Sequence, residues 1–468
     1  MLRPVHSFLG LVAALLVVVV TTTGAWLAAD AMVERARAPS HAGASVAQIA
    51  SVAARLPGIE RLDRKPSGAI VATYFENDRA AQALIDPATG ATAPAPEASP
   101  LMVGVQNLHR KLLYGDLGRG VVGVGALGML ALCLSGLMLL ARRLGGWRNL
   151  LRPIRGGTAQ RVHSELARAA LFGLALSALS GVVMSAASFE LIADPARARV
   201  AAAASAEGPR MAAADMPALR ETPLSTFRSL QFPVADDPAD VYTLATATGE
   251  AALDATTGVV VAQAQDSLWT DIYQTIYALH AGELVSPALF WPLTLILAVS
   301  SAAAPVIAGA GALIWLARRR ARPRIAGNVA AQSADTILLV GSEGGATWGF
   351  AETLRTALTQ AGLKVHVGAM NDLAPAYRAA RRLILLAATY GEGDAPASAS
   401  RFLSRLEGWR GGALDAAVLG FGDRAFPAYC AFADQTEQAL AARGFNTLTP
   451  LQRIDRQSPQ AFAEWGRA

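Results

Sequence analysis

Only two cysteines occur in this sequence of 468 residues, Cys133 inside an apolar run and Cys430 far downstream. Two thiols so placed exclude a disulfide framework and a thiolate metal site. Charge is scarce too. Asp, Glu, Lys and Arg make 16% of the chain, against 53% hydrophobic residues. That balance excludes a single soluble globule. No Ser-His-Asp set and no zinc-ligand spacing stands out, so neither nucleophilic hydrolysis nor zinc chemistry is indicated.

What is abundant is apolar sequence in long runs, at about 7–28, 118–141, 165–187 and 288–317. A bilayer core of ~30 Å takes roughly 20 apolar residues at ~1.5 Å each, and all four runs reach that length. The first could instead be a signal peptide, since Ala25-Trp-Leu-Ala28 loosely resembles a cleavage site. Its apolar run exceeds the ~7–15 residues of a signal core, so it reads as a span.

Acidic residues are missing from one connection that carries Arg142, Arg143, Arg148, Arg152, Arg155 and Arg161. Arg318, Arg319, Arg320, Arg322 and Arg324 follow the last run, and Arg3 precedes the first. The positive-inside rule puts these regions, and both termini, in the cytoplasm. Segments 30–105 and 190–280 then lie outside. The net charge of +5 therefore reports a lipid bilayer rather than nucleic acid, because the arginines abut apolar runs.

The chain also repeats itself. His6-Ser7 opens a run that reaches Thr23-Gly24, and His163-Ser164 opens one that reaches Ser180-Gly181, each 18 residues from His to Gly. Each half continues with an Asp-x-x-Thr-Gly turn, at 86–90 and 254–258. A Leu-His pair follows, Leu108-His109 and Leu279-His280, and Leu-Ala-Arg-Arg closes the half at 140–143 and 316–319. Between the runs, 44–55 reads as a helix, Ala69–Phe75 and Ala83–Asp86 as strands, and 91–100 as linker. Val241–Thr246, Ala251–Asp254 and Val259–Ala262 read as strands, and Ala-rich 193–220 as a flexible or weakly helical insert.

Ionisable groups beside membrane spans are functional candidates, and neutral imidazole is a common iron ligand. The topology places His6 and His163 at the cytoplasmic face and His109 and His280 at the outer face. Each pair could clamp one b-type haem. His41 and His366 fall outside the pattern, the first on an outer module and the second at a strand end.

The runs His6–Gly24, Leu108–Gly115, His163–Gly181 and Leu279–Gly282 resemble the PepSY-associated transmembrane family over roughly residues 1–322. The resemblance implies a four-helix transmembrane bundle with two small α+β PepSY-like extracytoplasmic modules. It implies a haem-bearing reductase of a bacterial inner membrane, often tied to ferric-siderophore uptake, with His6, His109, His163 and His280 as ligands of two haems.

After a linker at 323–334 the character changes. Residues 335–468 alternate strand and helix: Thr336–Val340, helix 349–361, Lys364–Val367, Leu383–Ala388, helix 397–408, Ala416–Leu419, helix 431–443. That rhythm predicts an α/β doubly wound parallel sheet. Three loops follow strands: Gly341-Ser-Glu-Gly-Gly-Ala-Thr-Trp-Gly349, Ala388-Thr-Tyr-Gly-Glu-Gly-Asp394, and Leu419-Gly-Phe-Gly-Asp423 with Phe426 and Tyr429 behind it. A strand, Gly-rich loop and helix present backbone N–H groups to a phosphate. Tyr390 offers a platform for a flat ring. Ligands of such sheets bind at the carboxyl ends of the strands.

This order is similar to the flavodoxin-like FMN domain of diflavin reductases. The likeness implies a phosphate cradle of Ser342, Gly344, Gly345 and Thr347. It puts Thr389, Tyr390 and Gly391 beside the isoalloxazine, with Gly422, Asp423 and Tyr429 at its other edge. Two departures predict weaker FMN binding: Gly344 and Ala346 stand where Thr is common, and Glu343 adds negative charge. No further Gly-rich nucleotide fold follows Tyr429, so a separate NAD(P)H-dependent flavin reductase is the expected electron donor.

The reading that results is transmembrane electron transfer from FMN through two haems to a ferric chelate or ferric siderophore. Two alternatives remain: a cytochrome-type oxidoreductase serving quinone or a periplasmic reductase, and a non-enzymatic PepSY module that binds an extracytoplasmic partner.

Overall fold

The computed structural model describes the chain except for residues 1, 39–43, 97–98, 155, 202, 285, 321–324, 392, 427 and 468. His41, Arg155, Arg322, Arg324 and Glu392 lie outside the described residues, as do the side chains of Arg318, Arg319 and Arg320.

The repeat seen in the sequence is a repeat of elements. The first half runs from helix α1 (Leu2–Arg37) through helix α2 (Val46–Ala53) to strands β1 (Ile59–Arg64), β2 (Ile70–Glu76), β3 (Arg79–Ile85) and β4 (Thr92–Pro94). Helices α3 (Pro100–Lys111) and α4 (Gly115–Leu144) complete it. The second half runs α5 (Thr158–Ser188), α6 (Pro217–Glu221), β5 (Phe227–Gln231), β6 (Tyr242–Thr246), β7 (Gly249–Leu253), β8 (Val260–Gln265), α7 (Leu268–Ala281) and α8 (Pro287–Arg320).

Helices α1, α4, α5 and α8 are long and apolar enough to cross a membrane. Large apolar side chains point outward on all four: Leu15 is 77% exposed, Val124 70%, Phe172 64% and Leu313 61%. Water would penalise such a surface, whereas lipid accepts it. Inward, Val17, Cys133, Ala170, Leu174 and Ala304 form a core to which each helix contributes. Small residues let these backbones approach closely. A Cβ on Gly173 of α5 would collide with the Ser300 hydroxyl on α8.

The two small α+β modules are not separate. Their strands form one antiparallel sheet in the order β4-β3-β2-β1-β5-β6-β7-β8. The halves join where β1 pairs with β5, through Arg61↔Gln231, Leu62↔Leu230 and Asp63↔Ser229. Helices α2 and α6 contribute Ile49, Ala50 and Leu219 to the core that also buries Leu62, Phe227 and Leu230. Helix α2 starts at a capping box, with Gln48 N–H donating to Ser45 Oγ and Ser45 N–H to Gln48 Oε1. Cutting Leu62 or Leu230 back to Ala would cost ~2–5 kcal/mol through the cavity left.

Both Asp-x-x-Thr-Gly motifs are hairpin turns, β3 to β4 and β7 to β8. Asp86 Oδ1 accepts from Ala88 N–H at 2.9 Å, and Asp254 Oδ1 accepts from Thr256 and Thr257 N–H at 2.8 and 2.9 Å. Gly90 and Gly258 follow at φ +71° and +68°, a left-handed conformation that suits glycine. The described residues of the Ala-rich segment 193–220 form no helix beyond α6. Acidic side chains of the sheet region tie its backbone down: Ala198 N–H donates to Asp266, Val200 N–H to Glu250 and Ala206 N–H to Asp254.

The tail carries β9 (Thr336–Gly341), α9 (Thr347–Gln360), β10 (Val365–Ala369), β11 (Arg382–Ala388), α10 (Phe402–Glu407), β12 (Asp415–Gly422), α11 (Ala431–Ala442), β13 (Asn446–Asp455) and α12 (Pro459–Trp465). Every strand pair is parallel, in the order β10-β9-β11-β12-β13. In the tail's own count that is 2-1-3-4-5, the flavodoxin-like order, with its switch point between β9 and β11. Runs such as Ile337–Val340 are wholly buried because both faces are covered: Leu339 and Leu385 face one core, Leu338 and Leu386 the other. The helix expected at 397–408 shrinks to α10, since 397–401 is turn.

By internal contacts the chain divides into two bodies. One comprises Met1–Ser7, Ser135–Glu165 and Gly309–Ala468; the other comprises Phe8–Leu134 and Leu166–Ala308.

Candidate cofactor sites

Within the first body, three loops leave neighbouring parallel strands at one level, because Gly341 pairs with Ala387 and Ala387 with Gly420. The first loop closes on itself. Gly345 N–H donates to Ser342 Oγ at 3.0 Å, and Ser342 N–H to Ser398 Oγ at 2.7 Å. Gly345 holds φ +89°, and Thr347, wholly buried, begins α9. Nothing would meet a Cβ on Gly344 within 4 Å. The missing Thr at 344 is thus not a steric demand. Glu343 does not present a free charge: one carboxylate oxygen accepts from Ala397 N–H at 2.6 Å and the other pairs with Arg3.

In the second loop, Tyr390 and Asp394 exchange backbone hydrogen bonds of 2.9 and 2.8 Å, which fixes a tight turn with Gly391 at φ +62°. Tyr390 is half-buried, with the Arg3 guanidinium 5.5 Å from its ring centre. Thr389 Oγ1 accepts from Phe432 N–H at 3.3 Å. In the third loop, Asp423 accepts from Ala425 N–H and pairs with Arg456. Tyr429 packs on the sheet core beneath Arg424, close against Gly422. Of the two tyrosines, Tyr429 is the one packed against the sheet core. Burial pushes the Cys430 thiol up to about 11, so it stays protonated and unreactive.

His6 and His163 belong to the same body, their ring centres 6.5 Å apart. His6 Nδ1 lies 2.8 Å from Ser135 Oγ, and its Cε1 3.3 Å from where a Cβ on Gly136 would stand. His163 Cε1 lies 3.2 Å from that position on Gly311.

The second body holds the other pair. His109 and His280 have ring centres 6.2 Å apart. His109 Nδ1 is 3.1 Å from Thr23 Oγ1 and 3.0 Å from the Val20 carbonyl, and its ring faces Gly24. His280 Nδ1 is 2.8 Å from Ser180 Oγ, and its ring faces Gly181. So each histidine sits over a glycine of its own half, and each pair joins the two halves. Ser135-Gly136, Thr23-Gly24 and Ser180-Gly181 are the same device used three times. At the fourth site, Ala310-Gly311 lacks the hydroxyl.

These dimensions fit a metal held between two imidazoles. Two metal–nitrogen bonds of about 2 Å, plus half a ring at either end, set ring centres about 6 Å apart. At His6, His109 and His280 a hydroxyl at Nδ1 would leave Nε2 for a metal, and the bare glycines let each ring lie close against the helix backbone. His366 is different: it lies in β10 with Nδ1 2.7 Å from the Val329 carbonyl, a structural contact.

From sequence, Thr23-Gly24 and Ser180-Gly181 stand out only as run ends, and Ser135 and Ser398 do not stand out at all. The signal that could have found the first three hydroxyls is a hydroxyl-Gly dipeptide recurring within the repeat.

Residues 3–318 match the model of the PepSY-associated TM region, and the chain belongs to that family. Residues 338–465 match the flavodoxin model. It is thus a membrane protein with a C-terminal flavodoxin domain. Over 139 residues it is 30% identical to the sulfite reductase [NADPH] flavoprotein alpha-component of Bacillus subtilis (strain 168), covering 29% of this chain and 23% of that protein. Over 89 residues it is 33% identical to the inducible nitric oxide synthase of Homo sapiens, covering 18% of this chain and 8% of that one. The chain thus spans less than a quarter of the length of either relative. Among solved structures, oxidised flavodoxin 1 from Bacillus cereus matches at 20% identity and TM-score 0.26, covering 28% of this chain and 92% of that one. Oxidised flavodoxin 2 from the same organism matches at 22% identity and TM-score 0.25, covering 29% and 94%.

Proposed function

We propose that the chain is a transmembrane electron conduit of a bacterial inner membrane. A separate NAD(P)H-dependent flavin reductase supplies electrons to FMN in the cytoplasmic tail. Two b-type haems, one between His6 and His163 and one between His109 and His280, lead across the bilayer. The acceptor on the outer face is a ferric chelate or ferric siderophore. The observation that carries this reading is the ring-centre spacing of 6.5 and 6.2 Å in two matched histidine pairs.

Bound FMN and haem supply the one-electron chemistry; the protein positions them and tunes their environment. Ser342, Gly344, Gly345 and Thr347 would hold the phosphate, at the start of α9, where N–H groups favour an anion. Thr389, Tyr390 and Gly391 would line one edge of the ring, and Gly422, Asp423 and Tyr429 the other. Tyr390 supplies the stacking surface, while Tyr429 stiffens the loop from below. Ser135, Thr23 and Ser180 would orient the imidazoles.

The test is an optical spectrum of the purified full chain, before and after reduction, with pyridine haemochrome and flavin quantitation. Two haems and one FMN per polypeptide, reoxidised by a ferric chelate, are expected. A chain from haem-replete cells that carries no haem overturns the reading. Haems that reduce but ignore ferric chelates point to another acceptor.

A further inference from the structure

Arg3 is not among the residues assigned to the flavin or to the histidine pairs, yet it touches two flavin loops at once. Its guanidinium pairs with Glu343 of the first loop and lies 5.5 Å from the Tyr390 ring centre in the second, within cation–π range. The pair is largely shielded, with Arg3 24% and Glu343 15% exposed, so salt screens it weakly. The remaining loop edges meet the helix ends of the same body. A Cβ on Gly391 would stand 3.5 Å from the Arg142 carbonyl oxygen at the end of α4, and one on Gly145 4.0 Å from the Phe426 ring of the third loop. Arg3 is three residues before His6 on α1, and residues so spaced share a helix face.

We infer that Arg3 is a positioning residue. It latches the ligand-bearing edge of the flavodoxin domain onto the helix end that carries His6, and so selects the His6–His163 pair as the flavin's electron partner. The latch also explains an acidic residue in a phosphate-binding loop. Glu343 is neutralised by Arg3 when the domain is seated, and it repels an anionic ligand when the domain is not. This inference rests on the electron-conduit reading for its consequence but not for the contact itself.

Two measurements on the full chain in native membranes separate these. First, Arg3→Cys with Glu343→Cys is treated with a short bismaleimide, and the chain is cut at a protease site inserted between 320 and 325. A seated tail leaves the two fragments joined. Fragments that separate, although each single cysteine variant labels with maleimide, overturn the latch. Cofactors play no part in this result, so joined fragments without haem would retain the latch and sink the conduit. Second, Arg3→Gln and Glu343→Gln should each slow haem reduction by reduced FMN at least tenfold, at unchanged haem content. The exchange Arg3→Glu with Glu343→Arg should restore part of the rate, which a merely structural role would not do. Unchanged rates in both single variants overturn the proposal.

Discussion

Ser180 holds His280 by a 2.8 Å contact between its hydroxyl and Nδ1, one residue before the glycine over which the imidazole lies. With Nδ1 engaged by the hydroxyl, Nε2 would be left to hold a metal. Ser180→Ala should therefore lower haem retention at the His109–His280 pair by about 10–100-fold, the usual effect of losing an outer partner of a ligand. His280→Ala should remove that haem outright and leave one per chain by pyridine haemochrome. Loss of both haems in His280→Ala would mean that the pairs are not independent.

Gly311 gives the complementary test at the other pair. A Cβ there would stand 3.2 Å from His163 Cε1, tighter than ordinary packing, and a larger side chain would displace the imidazole. Gly311→Leu should abolish the His6–His163 haem and spare the other. Gly309→Leu, where a Cβ meets nothing within 4 Å, serves as control and should keep both.

For the tail, two substitutions should move FMN affinity in opposite directions. Tyr390→Ala removes a stacking face worth ~0.5–1.5 kcal/mol and should raise Kd by about 2–12-fold. Gly344→Thr adds a hydroxyl where there is open space and should tighten binding. Fluorescence titration of the full chain with FMN measures both. Gly345→Thr, at φ +89°, should instead disrupt the loop.

Asp254 makes the sheet acid-sensitive. N–H donation from Ala206, the Thr256 hydroxyl and Thr257 N–H hold its carboxyl well below the usual carboxylate range. Because the folded value lies below the unfolded one of about 3.9, its contribution is fully present above that value and is lost as pH falls through the folded value. Protection from hydrogen exchange at 205–206 and 254–258, taken relative to the intrinsic rate at each pH, should fall below about pH 4 in the parent. In Asp254→Ala, exchange at these sites should be fast already at neutral pH. Slow exchange in that variant would show that the carboxylate is not what holds the segment.

Arginine placement predicts topology. Reporter fusions after Arg324 should report cytoplasm, and fusions at Gly90 the outer side, since Lys and Arg near span ends set orientation. The opposite result reverses the proposed direction of electron flow.

Local features were legible because local chemistry sets them. Apolar runs of about 20 residues declare α1, α4, α5 and α8, because a bilayer demands that length. Strand, Gly-rich loop and helix declare β9 to α9 and β11 to its turn, because period and turn chemistry are short-range. The four histidines stood out through the duplication, since one repeat vouches for the other. Strands β1 and β5, by contrast, are not legible in the sequence. Ile59–Arg64 and Phe227–Gln231 are short and polar enough to pass as loop, and their pairing with each other is what turns two modules into one sheet.

Spacing along a helix or strand suffices for the four spans, the paired order of histidines and the three Gly-rich loops. Which side chains finish the sites depends on packing between distant segments. Ser135 reaches His6 across 129 positions, and Arg3 reaches Glu343 and Tyr390 from the other end of the chain. Ser398 was invisible in the same way, since it closes the first loop from beyond the second. Hydrogen bonds and ion pairs act over a few ångströms of space, and no periodicity records which distant residues the packing of helices and sheet will bring within that range.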